Sequence, residues 1–123
     1  SMSELKIEKF INNFGQEIHP GEEVVYAGTA WKSTTFRKAK FGGVYYDKTW
    51  QRNLQPDGTY KSEYCIAPTA VMVYDIADKK YQWDKVKRQG EYIDCLRKAY
   101  LPLKRVFKLD MTMSQFAHQE YTL

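Results

Sequence analysis

Ser3-Glu4-Leu5-Lys6-Ile7-Glu8-Lys9-Phe10-Ile11-Asn12-Asn13-Phe14 is the stretch on which the fold class turns. Leu5, Ile7, Phe10, Ile11 and Phe14 fall at three-and-four spacing, the period of an apolar stripe on a helix. Ser3 suits an N-cap, Glu4 complements the positive helix N-terminus, and Gly15 is a natural stop. The spacing therefore predicts a helix over residues 3–14. Glu4, Lys6, Glu8 and Lys9 interrupt every apolar run there, so neither a signal peptide nor a membrane segment is read.

Downstream of this stretch the pattern changes to one of short strands. His19-Pro20-Gly21 makes a turn, and Glu22 to Thr29 reads as a strand centred on Val24, Val25 and Tyr26. Phe36 to Asp47 reads as a second, with Gly42-Gly43 predicting a bulge or bend. Residues 48–59 hold Asn53, Pro56, Asp57 and Gly58 and read as a surface loop. Tyr60 to Ala67 reads as a strand ended by Pro68, and Thr69 to Ala77 as another, with a hairpin tip at Asp78-Lys79-Lys80. Tyr81 to Lys87 and Tyr92 to Arg97 flank a turn at Gln89-Gly90-Glu91. In residues 101–109, Leu103, Arg105, Phe107 and Leu109 alternate as in a strand, while Leu103, Val106 and Phe107 also fit a helical turn after Pro102. A short amphipathic helix is expected from Ser114. The expected fold is α+β: one domain over residues 1–123, built as a small antiparallel β-sheet or partly open barrel with an N-terminal helix and a short C-terminal helix.

The net charge of +4 is unevenly spread. Residues 1–30 hold two lysines and five acids, 31–61 hold seven basic residues and two acids, and 79–108 hold ten and three. If the two basic segments neighbour each other, they form a surface that attracts phosphate. Cys65 and Cys95 lack a Cys-x-x-Cys spacing and read as reduced, packed thiols. His19 and His118 are too far apart in sequence to suggest a zinc site. No phosphate-binding glycine loop, Gly-x-Ser-x-Gly or His-Glu-x-x-His occurs, so the chain is read as a non-enzyme without a cofactor or metal.

The positive signal is basic residues interleaved with rings. Phe36-Arg37-Lys38-Ala39-Lys40-Phe41, followed by Tyr45 and Tyr46, is one instance, and Leu103-Lys104-Arg105-Val106-Phe107-Lys108 is the other. A guanidinium fork holds phosphate oxygens and an aromatic face stacks on a base, which together make a nucleotide site. Arg37, Arg105, Lys104, Phe107, Tyr46 and Phe36 are the candidate ligand contacts. Which ring stacks the base stays open among Phe36, Tyr46, Trp83 and Phe107.

The order of these segments, His19-Pro20-Gly21-Glu22-Glu23-Val24-Val25-Tyr26, then Phe41-Gly42-Gly43-Val44-Tyr45, then Leu101-Pro102-Leu103-Lys104-Arg105-Val106-Phe107, resembles the phage anti-Thoeris signal-sponge proteins of the first-described type. The resemblance implies a phage protein that sequesters a cyclic ADP-ribose isomer, or a cyclic oligonucleotide, without cleaving it. It implies a homo-oligomer with pockets at subunit interfaces, acting in the cytoplasm of the infected bacterial host to block Thoeris antiphage defence. Arg105 carries over best onto the family's pocket and Arg37 more loosely. The alternative is a small-barrel basic-aromatic DNA- or RNA-binding module, in which nucleic acid replaces the small ligand.

Overall fold

The computed structural model describes residues 3–30 and 33–109. Its strands are β1 (Glu4–Lys6), β2 (Phe10–Ile11), β3 (Glu17–Ile18), β4 (Glu23–Ala30), β5 (Ser33–Leu54), β6 (Tyr60–Asp84), β7 (Gln89–Pro102) and β8 (Val106–Phe107). One 3-10 turn, Leu103–Arg105, joins β7 to β8. The described residues are 73% strand and 3% helical, so the α+β expectation is corrected to a nearly all-β fold.

The expected N-terminal helix is absent, and residues 3–14 instead form β1, β2 and the turn after them. A twelve-residue helix is marginal on its own, and Ile7, Ile11, Asn12 and Asn13 are poor helix formers. The free edge of β5 offers a better outlet for this backbone: Leu5 pairs with Tyr45, and Lys6 with Val44. Ile7 and Ile11, which the helical stripe would have buried, are exposed. Gly43 makes the docking possible. Its φ is +150°, and a Cβ there would lie 2.5 Å from the Lys6 carbonyl oxygen. The helix expected from Ser114 lies outside the described residues.

Residues 48–54, expected as loop, continue β5, and the turn shrinks to residues 55–59. There the Gln55 N–H donates to the Thr59 carbonyl at 2.7 Å. Pro68 does not end its strand. It pairs with Tyr46 on the stretch of β6 whose other edge is open, where its missing N–H costs nothing. No turn forms at Asp78-Lys79-Lys80; β6 runs to Asp84, and the hairpin turns at residues 85–88. The Asp84 carboxylate accepts the N–H of Val86 at 2.9 Å and of Lys87 at 3.1 Å. The bulge expected at Gly42-Gly43 is present as a register shift between Phe41 and Gly43.

The main sheet runs β7-β6-β5-β4-β8, with β1 on β5, and all pairings are antiparallel. Three residues carry the chain from β7, one edge, to β8, the other edge, so the sheet must curl over itself. The core fills this curl, with Val24, Phe41, Val71, Val73 and Val106 fully buried. Each such side chain contributes roughly 1.5–3 kcal/mol by leaving water. Asn12 and Gln16 close one end as a polar knot that fastens β8.

β5, β6 and β7 are far longer than the core needs. Residues 47–54 and 60–67 form a two-stranded ribbon, and residues 77–84 and 89–96 form another.

Candidate functional site

Strand alternation sorts the predicted contacts by face. Val25 pairs with Lys38 and Phe107, and Ala27 pairs with Phe36, so these side chains share the outer face of the β4–β5–β8 region. Tyr26, Val106 and Arg37 are paired with each other on the inner, core-lining face. Arg37 and Phe36 therefore point to opposite sides of one strand.

On the outer face, Phe36 and Phe107 meet edge to face, with centroids 6.0 Å apart and planes at 86°. Phe14 closes the far side of Phe107 at 6.4 Å. Phe36 remains 70% exposed, which leaves a ring surface available for stacking. The guanidinium of Arg105 donates to the carbonyl of Ala27, the residue directly opposite Phe36 in register. This uses one of its five N–H donors and ties the guanidinium to β4 at Ala27. Lys104 adjoins it on the 3-10 turn and is exposed. Lys38 shares the outer face, with its ammonium 4.0 Å from the Glu23 carboxylate.

The structure thus places Phe36, Phe107 and the Arg105 guanidinium around Val25–Ala27 of β4, with Lys104 next to Arg105 in the chain, and places Arg37 and Tyr46 elsewhere. The Arg37 side chain lies over Gly28, where a Cβ would meet its Nε at 3.0 Å. Its charge acts on Asp78, which sits in an exposed cluster with Arg97 at 2.8 Å. Asp78 is held below the ordinary carboxylate range, first by the Lys79 N–H and then by Arg97. Tyr46 lies under β1. Its hydroxyl donates to Glu8, which raises its pKa, and the Lys6 ammonium covers its ring at 4.6 Å. Trp83 is far along the β6–β7 ribbon.

Phe14 and Lys38 were missed in the sequence as contributors to this patch. Phe14 was absorbed into the helical stripe, whereas Lys38 was legible as the residue two beyond Phe36 on one strand face. Among the described residues, no group of three or more His, Cys, Asp or Glu side chains is placed to hold a metal ion. Cys65 and Cys95 are free thiols on separate ribbons. No family model, no curated protein and no solved structure matches this chain.

Proposed function

We propose that the β4–β8 edge binds and retains an anionic, ring-bearing nucleotide of the cyclic ADP-ribose class without transforming it. On this reading the chain is the phage sponge that its segment order resembles, holding an immune signal below the threshold of its effector in the infected host. The observation that carries the proposal is the convergence of Arg105, from the segment after β7, with Phe36, from β5, across a single residue of β4. A guanidinium fork within reach of a mostly exposed ring supplies the two interactions a nucleotide requires, phosphate pairing and base stacking. Lys104 adds positive charge, and Phe14 backs the ring system.

The test is a retention experiment. The protein is incubated with cyclic ADP-ribose isomers, freed of unbound ligand, denatured by heat, and the released molecule is identified by mass. Recovery of intact ligand supports sequestration; an altered ligand identifies an enzyme and refutes it. Arg105→Ala should reduce retention at least about tenfold, since a charge-assisted hydrogen bond contributes about 1.5–3 kcal/mol. Undiminished retention by that variant refutes the site. Preference for an oligonucleotide, with affinity falling steeply as salt rises, favours the nucleic-acid module instead.

A further inference from the structure

The β5–β6 ribbon is not an ordinary solvated hairpin. Lys48 pairs with Ile66, Trp50 with Tyr64, Arg52 with Ser62 and Leu54 with Tyr60, so these residues share one face. The opposite face carries Thr49, Gln51, Asn53, Lys61 and Glu63. No residue is added on β5 between the buried Val44 and Leu54, because the irregularity at Tyr45–Tyr46 places its extra residue, Thr69, on β6. The aromatic face is therefore a direct continuation of the core-lining face, prolonged past the end of the core. Trp50, Leu54, Tyr60 and Tyr64 lie between 57% and 63% exposed.

The β6–β7 ribbon is amphipathic in the opposite sense. The shift between Val73 and Ile76 keeps Ile76 inside, so its inner face bears Asp78, Lys80, Gln82 and Asp84. Tyr81, Trp83, Tyr92 and Leu96 line its outer face, again mostly exposed. Each molecule thus offers one inner and one outer aromatic face. At roughly 100–150 Å² of accessible surface per half-exposed large side chain, each face presents about 500 Å². A contact of one face on the other removes about 1,000 Å² in total from water, about what a specific interface needs. A monomer rarely leaves so much apolar surface bare.

We propose that the inner aromatic face of the β5–β6 ribbon packs on the outer aromatic face of the β6–β7 ribbon of a second copy of this chain. Charge selects this pairing over self-pairing. The inner face carries Lys48, 4.7 Å over Tyr64, and Arg52, 4.0 Å over Tyr60, with no carboxylate among its paired residues. Two such faces would oppose like charges. The outer face of the β6–β7 ribbon carries Asp94, whose side chain is 91% exposed and only 4.0 Å from Lys79 at its nearest. It can pair with a cation from a neighbour. Leu54 and Ile66 complete an apolar surface that suits a protein better than a polyanion. The contact shares no residue with the Arg105 patch, so assembly and ligand retention can fail independently.

The test is complementation between face variants of the full chain, followed by sedimentation and light scattering. The wild type should form species larger than the 14.5 kDa chain. Trp50→Glu and Trp83→Glu should each weaken self-association at least about 30-fold, the effect of losing one central aromatic anchor. Mixed one to one, they should yield a species of twice the chain mass, because each retains the face the other has lost. Both sites are exposed, and unchanged circular dichroism checks the fold; Tyr64→Ser and Tyr92→Ser replace them if either variant misfolds. A monomeric wild type at every attainable concentration overturns the proposal, as does full self-association by the Trp83→Glu variant or failure of the mixture to associate. Quenching of Trp50 by single-stranded oligonucleotide in place of self-association would assign the face to nucleic acid and also overturn it.

Discussion

Replacing Asn12 by alanine probes how the candidate ligand patch is held in place. Asn12 is only 4% exposed and makes hydrogen bonds in two directions. Its Oδ1 accepts the N–H of Phe14 at 3.1 Å and of Gln16 at 2.9 Å. Its Nδ2 donates to Gln16 Oε1 at 2.9 Å and to the Val106 carbonyl at 3.2 Å. Gln16 in turn clasps the Lys108 backbone, donating to its carbonyl at 2.9 Å and accepting its N–H at 2.8 Å. Alanine removes all of Asn12's side-chain bonds and strands the Val106 carbonyl in the core. At about 1 kcal/mol net per bond, the loss comes to about 3–4 kcal/mol once the half-buried Phe14 N–H is allowed to reach water. With a urea slope of about 1.5 kcal/mol/M, the unfolding midpoint should fall by about 2 M. Hydrogen exchange should show Phe107 and Lys108 losing protection ahead of the β5–β6 core. The control is Val86→Ser at a site 92% exposed, expected to stay within about 0.5 kcal/mol of wild type. A loss below about 1 kcal/mol for Asn12→Ala, or unchanged protection at β8, would refute the view that this knot fastens the edge.

Gly43→Ala should be severely destabilising, by about 3 kcal/mol or more, because the new methyl would meet the Lys6 carbonyl 2.5 Å away at a φ of +150°; thermal melting checks this, and a near-neutral result would mean that β1 is not docked on β5. Glu22 accepts the His19 N–H at 2.7 Å and pairs with Lys108 at 3.3 Å, which holds its pKa below the ordinary value. A carboxylate with a depressed folded-state pKa stabilises the fold above its unfolded-state value and loses that contribution as pH falls through the folded one. The melting-temperature gap between wild type and Glu22→Ala should therefore be constant near neutrality and shrink below about pH 4.5; a gap that widens on acidification would contradict this linkage.

The sheet was legible wherever alternation and turn chemistry agreed. Val24 to Tyr26 and the Gly42-Gly43 irregularity follow from local pattern. The leading helix was misread because Leu5, Phe10 and Phe14 have helical spacing by coincidence: Leu5 pairs with β5, Phe10 stacks on Phe41 and Phe14 abuts Phe107, three separate contacts that only the tertiary fold supplies. Strand length was underestimated because Pro68, Asn53 and Asp78 are breakers in a central strand but tolerable in a ribbon with open edges. The separation of Arg37 from Arg105 depends on which strands are neighbours, and the order of segments along the chain does not contain that information.

The two extra residues within β6, one at Thr69 and one in the Tyr74–Asp75 step, where Asp75 has a φ of +57°, are each taken up in a bulge. Val73 and Ile76 stand opposite Ala99 and Arg97, two residues apart on β7, so the bulge absorbs its extra residue without turning the distal hairpin. A single residue lost between Ile76 and the turn, with no bulge to absorb it, would exchange rings for charges, whereas trimming matched pairs from either hairpin end would leave the orientation intact. Length change in homologous chains is therefore expected to accumulate at the two turns in even steps and to avoid the regularly paired stretches between the bulges and the turns.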